Sequence, residues 1–217
     1  MAPLIVSAPL WLAATNCYVV APDSGGPAVV VDVPPDPEGV ASLLAAHDLY
    51  PAALLITHGH VDHTGGTGSF VARTDVTAYL HPEDEWLARD PLSQLRAIMV
   101  PTDEPEQYAP PERFAWLADA EHLELCGLEW EVLHTPGHTP GHCCFLLRDE
   151  GILFSGDQLF AGSIGRTDLP GGSYEQLMAS MKEKVLVLDD DVDVLPGHGP
   201  TTTLSRERAL NPFLQGI

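Results

Sequence analysis

Short apolar runs alternate along the chain with polar, turn-forming stretches, and their period predicts the elements. Strand-like runs at Cys17–Val20 and Ala28–Val33 flank the turn signal Asp23-Ser24-Gly25-Gly26-Pro27. Val40, Leu43, Leu44 and His47 then recur at helical spacing, with Pro51 beyond their end. Ala52–Thr57 is a short apolar run of the kind a buried strand needs, and Asp75–Leu80 reads as another strand. The second half returns to strands at Leu123–Leu125, Leu128–Thr135, Cys143–Leu147 and Ile152–Phe154. A helix follows from Ser173, with a capping box to Gln176 and an apolar face of Leu177, Met181, Val185 and Leu188. Val192–Leu195 is the last strand, and a short helix around Ser205–Leu210 ends at Pro212. Strands and helices alternate in both halves, which predicts α/β layering.

From Pro82 to Pro111 the pattern breaks. Six prolines and many acidic residues leave room only for helices around Glu83–Arg89 and Leu92–Val100. Such a segment is too polar and too interrupted for a core layer. It reads as an excursion from a single domain spanning residues 1–217, either a lid over a cleft or an ordinary surface insertion.

Composition narrows the partners. With 45% hydrophobic residues the chain can bury a core without disulfides. Its 31 acidic residues against 10 basic ones give a formal net charge of −21, and its only lysines are Lys182 and Lys184. Nucleic-acid affinity comes largely from Lys and Arg neutralising phosphates, so no nucleic-acid partner is expected. Cys143 and Cys144 are adjacent, and Cys17 and Cys126 sit in apolar stretches. This is no disulfide framework; it suits buried free thiols in a reducing compartment. Met1–Ala14 is apolar, but it lacks a cationic leading segment and is interrupted by Pro3 and Pro9. No run approaches the roughly 20 apolar residues of a membrane span. The expectation is a soluble cytoplasmic chain without a membrane partner.

The chemistry is concentrated in Thr57-His58-Gly59-His60-Val61-Asp62-His63, where a strand ends. Three imidazoles and a carboxylate within six residues crowd one another unless they share a partner. A metal is such a partner, since neutral imidazole and carboxylate are its usual nitrogen and oxygen ligands. In a tight turn His58 and His60 can face one ion while Asp62 and His63 face another. The design then recurs three times: a strand followed by Pro136-Gly137-His138, by Ser155-Gly156-Asp157, and by Pro196-Gly197-His198. Strand ends in a layered fold open onto a common crevice, so these residues can converge. His47, His81 and His122 have no motif, and His134 and His142 flank the third one as supporting or packing groups.

The set His58-x-His60-x-Asp62-His63, His138, Asp157 and His198 resembles the metallo-β-lactamase superfamily over nearly the whole chain. The resemblance implies a four-layer αβ/βα sandwich and two divalent metal ions. It assigns His58, His60 and His138 to the first ion and Asp62, His63 and His198 to the second, with Asp157 bridging. Thr135–His142, Gly165-Arg166-Thr167-Asp168-Leu169, Pro196–Pro200 and Asn211-Pro212-Phe213-Leu214 are further similar to the glyoxalase II-like hydrolases, which cleave thioesters of small hydroxyacids. Only 19 residues follow His198, so the family's glutathione-binding residues have no matching positions to carry over, and no counterpart of that helical domain is expected.

The expected activity is thus hydrolysis of a small-molecule thioester by hydroxide held between two metals, with Asp62 orienting it. Zinc is the first choice of metal, and iron and manganese accept the same donors. The rival activities are a mononuclear-iron persulfide dioxygenase, which uses two His and one Asp, and a lactonase or other ester hydrolase. A non-catalytic relative is expected to have lost a ligand, and an exported β-lactamase to carry a signal. Composition and motifs leave the oligomeric state open.

Overall fold

The computed structural model describes residues 2–216. Its first six-stranded sheet runs in the order β1 (Leu4–Leu10), β2 (Thr15–Ala21), β3 (Gly26–Val31), β4 (Leu49–Leu55), β5 (Thr77–Leu80), β6 (Ala115–Trp116). The first three strands are antiparallel and β3 to β6 are parallel. Their crossovers carry α1 (Pro37–Ala45), the single turn α2 (Val61–Thr64) and α3 (Thr67–Thr74), then α4 (Glu85–Ala88) and α5 (Pro91–Ala97). The second sheet comprises β7 (His122–Leu125), β8 (Leu128–His134), β9 (Cys143–Leu147), β10 (Ile152–Gly156), β13 (Asp193–Pro196) and β14 (Thr202–Thr203), with β13 inserted between β10 and β14. A small ribbon, β11 (Leu159–Phe160) and β12 (Ser163–Ile164), leads to α6 (Tyr174–Ser180), and α7 (Leu204–Leu210) follows β14.

Period-two alternation explains why there are four layers. On β2, Cys17, Val19 and Ala21 face α1 and α3, while Tyr18 and Val20 face the other sheet. On the second sheet, Trp130, Val132, Cys143 and Phe145 pack between the sheets, and Leu133, Cys144 and Leu146 pack against α6 and α7. Helices thus cover both outer faces and the sheets meet in the middle, giving the expected αβ/βα sandwich. The adjacent cysteines belong to different layers for this reason. All four thiols are free, and burial pushes that of Cys144 up to about 12.

One strand was not expected and one predicted boundary moved. β1 runs straight through Pro9, which an edge strand tolerates because its outer N–H has no partner to lose. Pro51 lies inside β4, beside a register shift opposite Ala28 and Val29. The helix from Ser173 keeps half of its predicted capping box, Ser173 Oγ accepting from Gln176 N while Ser173 N donates to Gly137 O, then loosens into a π turn over Met181–Val185. Among the described residues no helix is long and apolar enough to cross a membrane.

Strand direction places the site. β8 and β10 both run antiparallel to β9, and β13 runs parallel to β10, so all three finish at one edge of their sheet. β4 finishes at the adjoining edge of the other sheet. Asn16 N donates to Gly197 O at 2.7 Å, Tyr18 Oη donates to Pro196 O, and Cys143 N donates to Thr57 O, joining the two edges.

Candidate metal centre

The residues singled out from the sequence meet at these joined edges. His58, His60 and His138 form one group of converging donor atoms, Asp62, His63 and His198 a second, and His58, His63 and Asp157 a third that links them. Within each group the donor atoms lie within 4.8 Å of one another. His60 Nδ1 and His138 Nε2 are 2.9 Å apart, and His198 Nε2 is 3.2 Å from Asp62 Oδ2. Asp157 sits between the groups, its Oδ1 3.5 Å from His63 Nε2 and its Oδ2 3.5 Å from His138 Nε2. Gly197 permits this closeness, since a Cβ there would stand 2.3 Å from Asp157 Oδ1.

Outer hydrogen bonds settle which ring nitrogen faces the centre. Thr57 Oγ1 donates to Asp32 Oδ2, so it accepts from His58 Nδ1 at 3.0 Å, and His58 Nε2 is left bare toward the site. His63 Nδ1 donates to Asp32 Oδ2 at 2.7 Å and His138 Nδ1 to Arg166 O at 2.7 Å, so each presents Nε2 inward. His142 is different: its Nε2 accepts from Asp157 N and its Nδ1 donates to Thr135 Oγ1. Both nitrogens are used, and the ring holds the Asp157 backbone. His134 stacks on His81 at 3.9 Å and donates to Pro140 O, bracing the loop that carries His138.

The electrostatics are those of a cation site. His58 Nε2 and Asp157 Oδ1 are buried without a hydrogen-bond partner in the protein, an arrangement that costs free energy unless a cation satisfies both. Burial and the neighbouring imidazoles hold His60 down to about 3 and His138 to about 4, so both are neutral donors. Burial would lower His63 too, but Asp62, Asp32 and Asp157 outweigh it and hold its imidazolium up to about 10. A proton thus sits among three carboxylates where a metal's charge fits. For Asp62, burial is overcome by His63, His198 and His60, which hold the carboxyl well below its usual range. The donors present therefore fit a pair of divalent ions.

Three supporting residues escaped the sequence reading. Asp32, 1% exposed and left-handed at φ 60°, accepts from Thr57 N, Thr57 Oγ1 and His63. An acid inside the apolar run Ala28–Val33 was its signal. Asp84 is fully buried and accepts from Gly59 N, Thr139 Oγ1 and Gly141 N at 2.6–2.7 Å, tying the 82–111 segment to two donor loops. Gln94 accepts from Val61 N and donates to Gly59 O and Leu87 O. Arg166 and Asp168 form a bidentate, exposed ion pair at the rim.

The family model for the metallo-β-lactamase superfamily matches residues 10–198. A hydroxyacylglutathione hydrolase of Haemophilus influenzae is 36% identical, the match covering 92% of each chain. The crystal structure of the BLEG-1 B3 metallo-β-lactamase is 35% identical, covering 98% of this chain and 100% of that one at a TM-score of 0.87. The structure of TTHA1623 in a di-iron-bound form is 38% identical, covering 97% and 100% at a TM-score of 0.84. By sequence, by fold and by the placement of its donor residues, the chain belongs to the metallo-β-lactamase superfamily.

Proposed function

We propose that this chain is a thioester hydrolase of the glyoxalase II type, acting on a small hydroxyacyl thioester at a centre of two divalent ions. The observation that carries the reading is the pair of three-residue donor groups meeting across Asp157 at the floor of one cleft. The likeness to the Haemophilus influenzae hydrolase supports thioester cleavage, and the all-nitrogen-and-oxygen donor set supports zinc as first choice. His58, His60 and His138 would hold one ion, and Asp62, His63 and His198 the other, with Asp157 between them.

Bound there, such a pair supplies a lowered pKa for water and a counter-charge for an oxyanion developing on the attacked carbonyl. The chain's own groups supply orientation. Asp62 is kept ionised by its imidazole neighbours, and Thr15 Oγ1 donates to its Oδ2 at 3.3 Å. Its other oxygen is left to accept a hydrogen bond from an attacking water. The leaving thiol ionises near pH 8.5, so it departs without a general acid. That suits a site whose polar groups are nearly all donors to metal. A dioxygenase using two His and one Asp leaves the Asp62–His63–His198 group without a task.

The test is substrate comparison on protein loaded with zinc, iron or manganese in turn. A thioester should be cleaved at least tenfold faster, in kcat/KM, than its matched oxygen ester, a lactone or a β-lactam. Preference for the lactone or β-lactam, or oxygen uptake with a persulfide, would replace this reading.

A further inference from the structure

The cleft above the donor residues holds about 600 Å³, far more than a small hydroxyacyl group fills. Its walls are apolar. Trp11, Trp86, Leu87, Ile98, Phe160 and Leu169 line it, and Trp86 and Ile98 stand about half exposed at its mouth. The polar groups on these walls are already engaged. Gln94 spends its amide on Val61, Gly59 and Leu87, and the one guanidinium or ammonium lining the cleft, Arg166, is neutralised by Asp168. Trp11 adds an independent sign. It occupies the left-handed region at φ 60°, a conformation disfavoured for a bulky residue, in the turn between β1 and β2. Strain at that position delivers an indole to the cleft wall. The 82–111 segment, against which Trp11 packs, is equally fixed, because Asp84 and Gln94 bind it to the loops bearing His60 and His138.

We infer that the substrate is a thioester bearing an extended apolar group, which the wall of Trp11, Trp86 and Ile98 recognises. This rests on the thioester reading above and specifies its substrate. A polar carrier thiol such as glutathione brings two carboxylates, and the walls of this cleft, in a chain of net charge −21, offer them no unpaired guanidinium or ammonium. The apolar group can belong to the acyl side, or to the thiol side with a small hydroxyacyl group at the donors. Both present the same chemistry to the wall.

Two substrate series on the zinc-loaded full chain separate these sources: acyl chains lengthened on one small thiol, and alkyl thiols lengthened on one small acyl group. Burial of each methylene contributes about 0.8 kcal/mol, so kcat/KM should rise roughly fourfold per methylene over the first several in one series. Trp86→Ala should flatten that slope, whereas Trp116→Ala, on β6 outside the cleft, should leave it intact. Flat slopes in both series, or a hydroxyacyl glutathione thioester preferred to every apolar substrate, would overturn the inference. Binding gives a readout independent of turnover. Uncleavable alkyl thioethers should quench tryptophan fluorescence of the metal-free chain with Kd falling as they lengthen, and Kd unchanged with length would refute recognition by the wall. If the thioethers bind in this order while no thioester is cleaved, the thioesterase reading fails and the apolar recognition stands.

Discussion

In the proposed mechanism Asp62 carries two loads, donor to one metal position and orienting group for the attacking water. Asp62→Ala should lower kcat by about 100-fold or more while KM changes only a few-fold, measured on protein whose metal content has been checked. Unchanged turnover would remove Asp62 from the mechanism. The histidines make a separate prediction for the metal-free chain. His60 and His138 titrate near 3 and 4 when folded, below their unfolded value near 6.5, so the unfolded chain binds more protons below that value. Their contribution is present above pH 6.5 and is lost as pH falls toward 4. His63 is shifted the other way, to about 10, and its contribution is already constant below pH 6.5. The Tm of the metal-free protein should therefore drop steadily between pH 6.5 and 4, and a Tm independent of pH across that window would contradict the site's electrostatics. All seven donor residues were legible as residue types following strand ends, because a metal demands few side-chain chemistries. Asp32 and Asp84 were not. Their role is to fix tautomers and loops, and that is visible only once His63, Gly59 and Gly141 are brought around them.

The 82–111 segment behaves as a fixed wall of the cleft. Its polar sequence and six prolines suggested either a lid over a cleft or a surface insertion, and no periodicity announced that Asp84 would be buried. Asp84→Ala would strand two backbone N–H groups and the Thr139 hydroxyl, at about 1–3 kcal/mol each if they stay dry. Denaturant unfolding should show a loss of about 3 kcal/mol or more, and a loss below 1 kcal/mol would mean the segment is only loosely attached. The elements missed from sequence share a physical cause. α3, with the sequence Thr-Gly-Ser-Phe-Val-Ala-Arg-Thr, has one large buried side chain, Phe70, and its helix is imposed by packing against the first sheet. β1 was masked by Pro9, which an edge position makes harmless. By contrast, β2, β9 and the end of β4 were readable because burial on both faces demands apolar residues with few gaps, and β8 because Leu128, Trp130 and Val132 alternate with Glu129 and Glu131.

At the scale of the molecule, the sheet-on-sheet layer is what keeps the two donor-bearing edges in register. Trp130 is its largest fully buried side chain, packed with Phe154 between the sheets. Trp130→Ala should cost about 3–5 kcal/mol in denaturant unfolding. Trp130→Phe should cost much less, because the indole N–H makes no hydrogen bond in the protein. Equal costs for both would mean that the layer is not close-packed there. We propose that this register assembles two metal positions sharing Asp157. This is tested most directly by metal content per chain in freshly purified protein, paired with thioester hydrolysis before and after chelation. Two metals per chain, activity abolished by the chelator and activity restored by zinc are the expected result. A single metal per chain, or thioester hydrolysis that survives complete removal of metal, would contradict it.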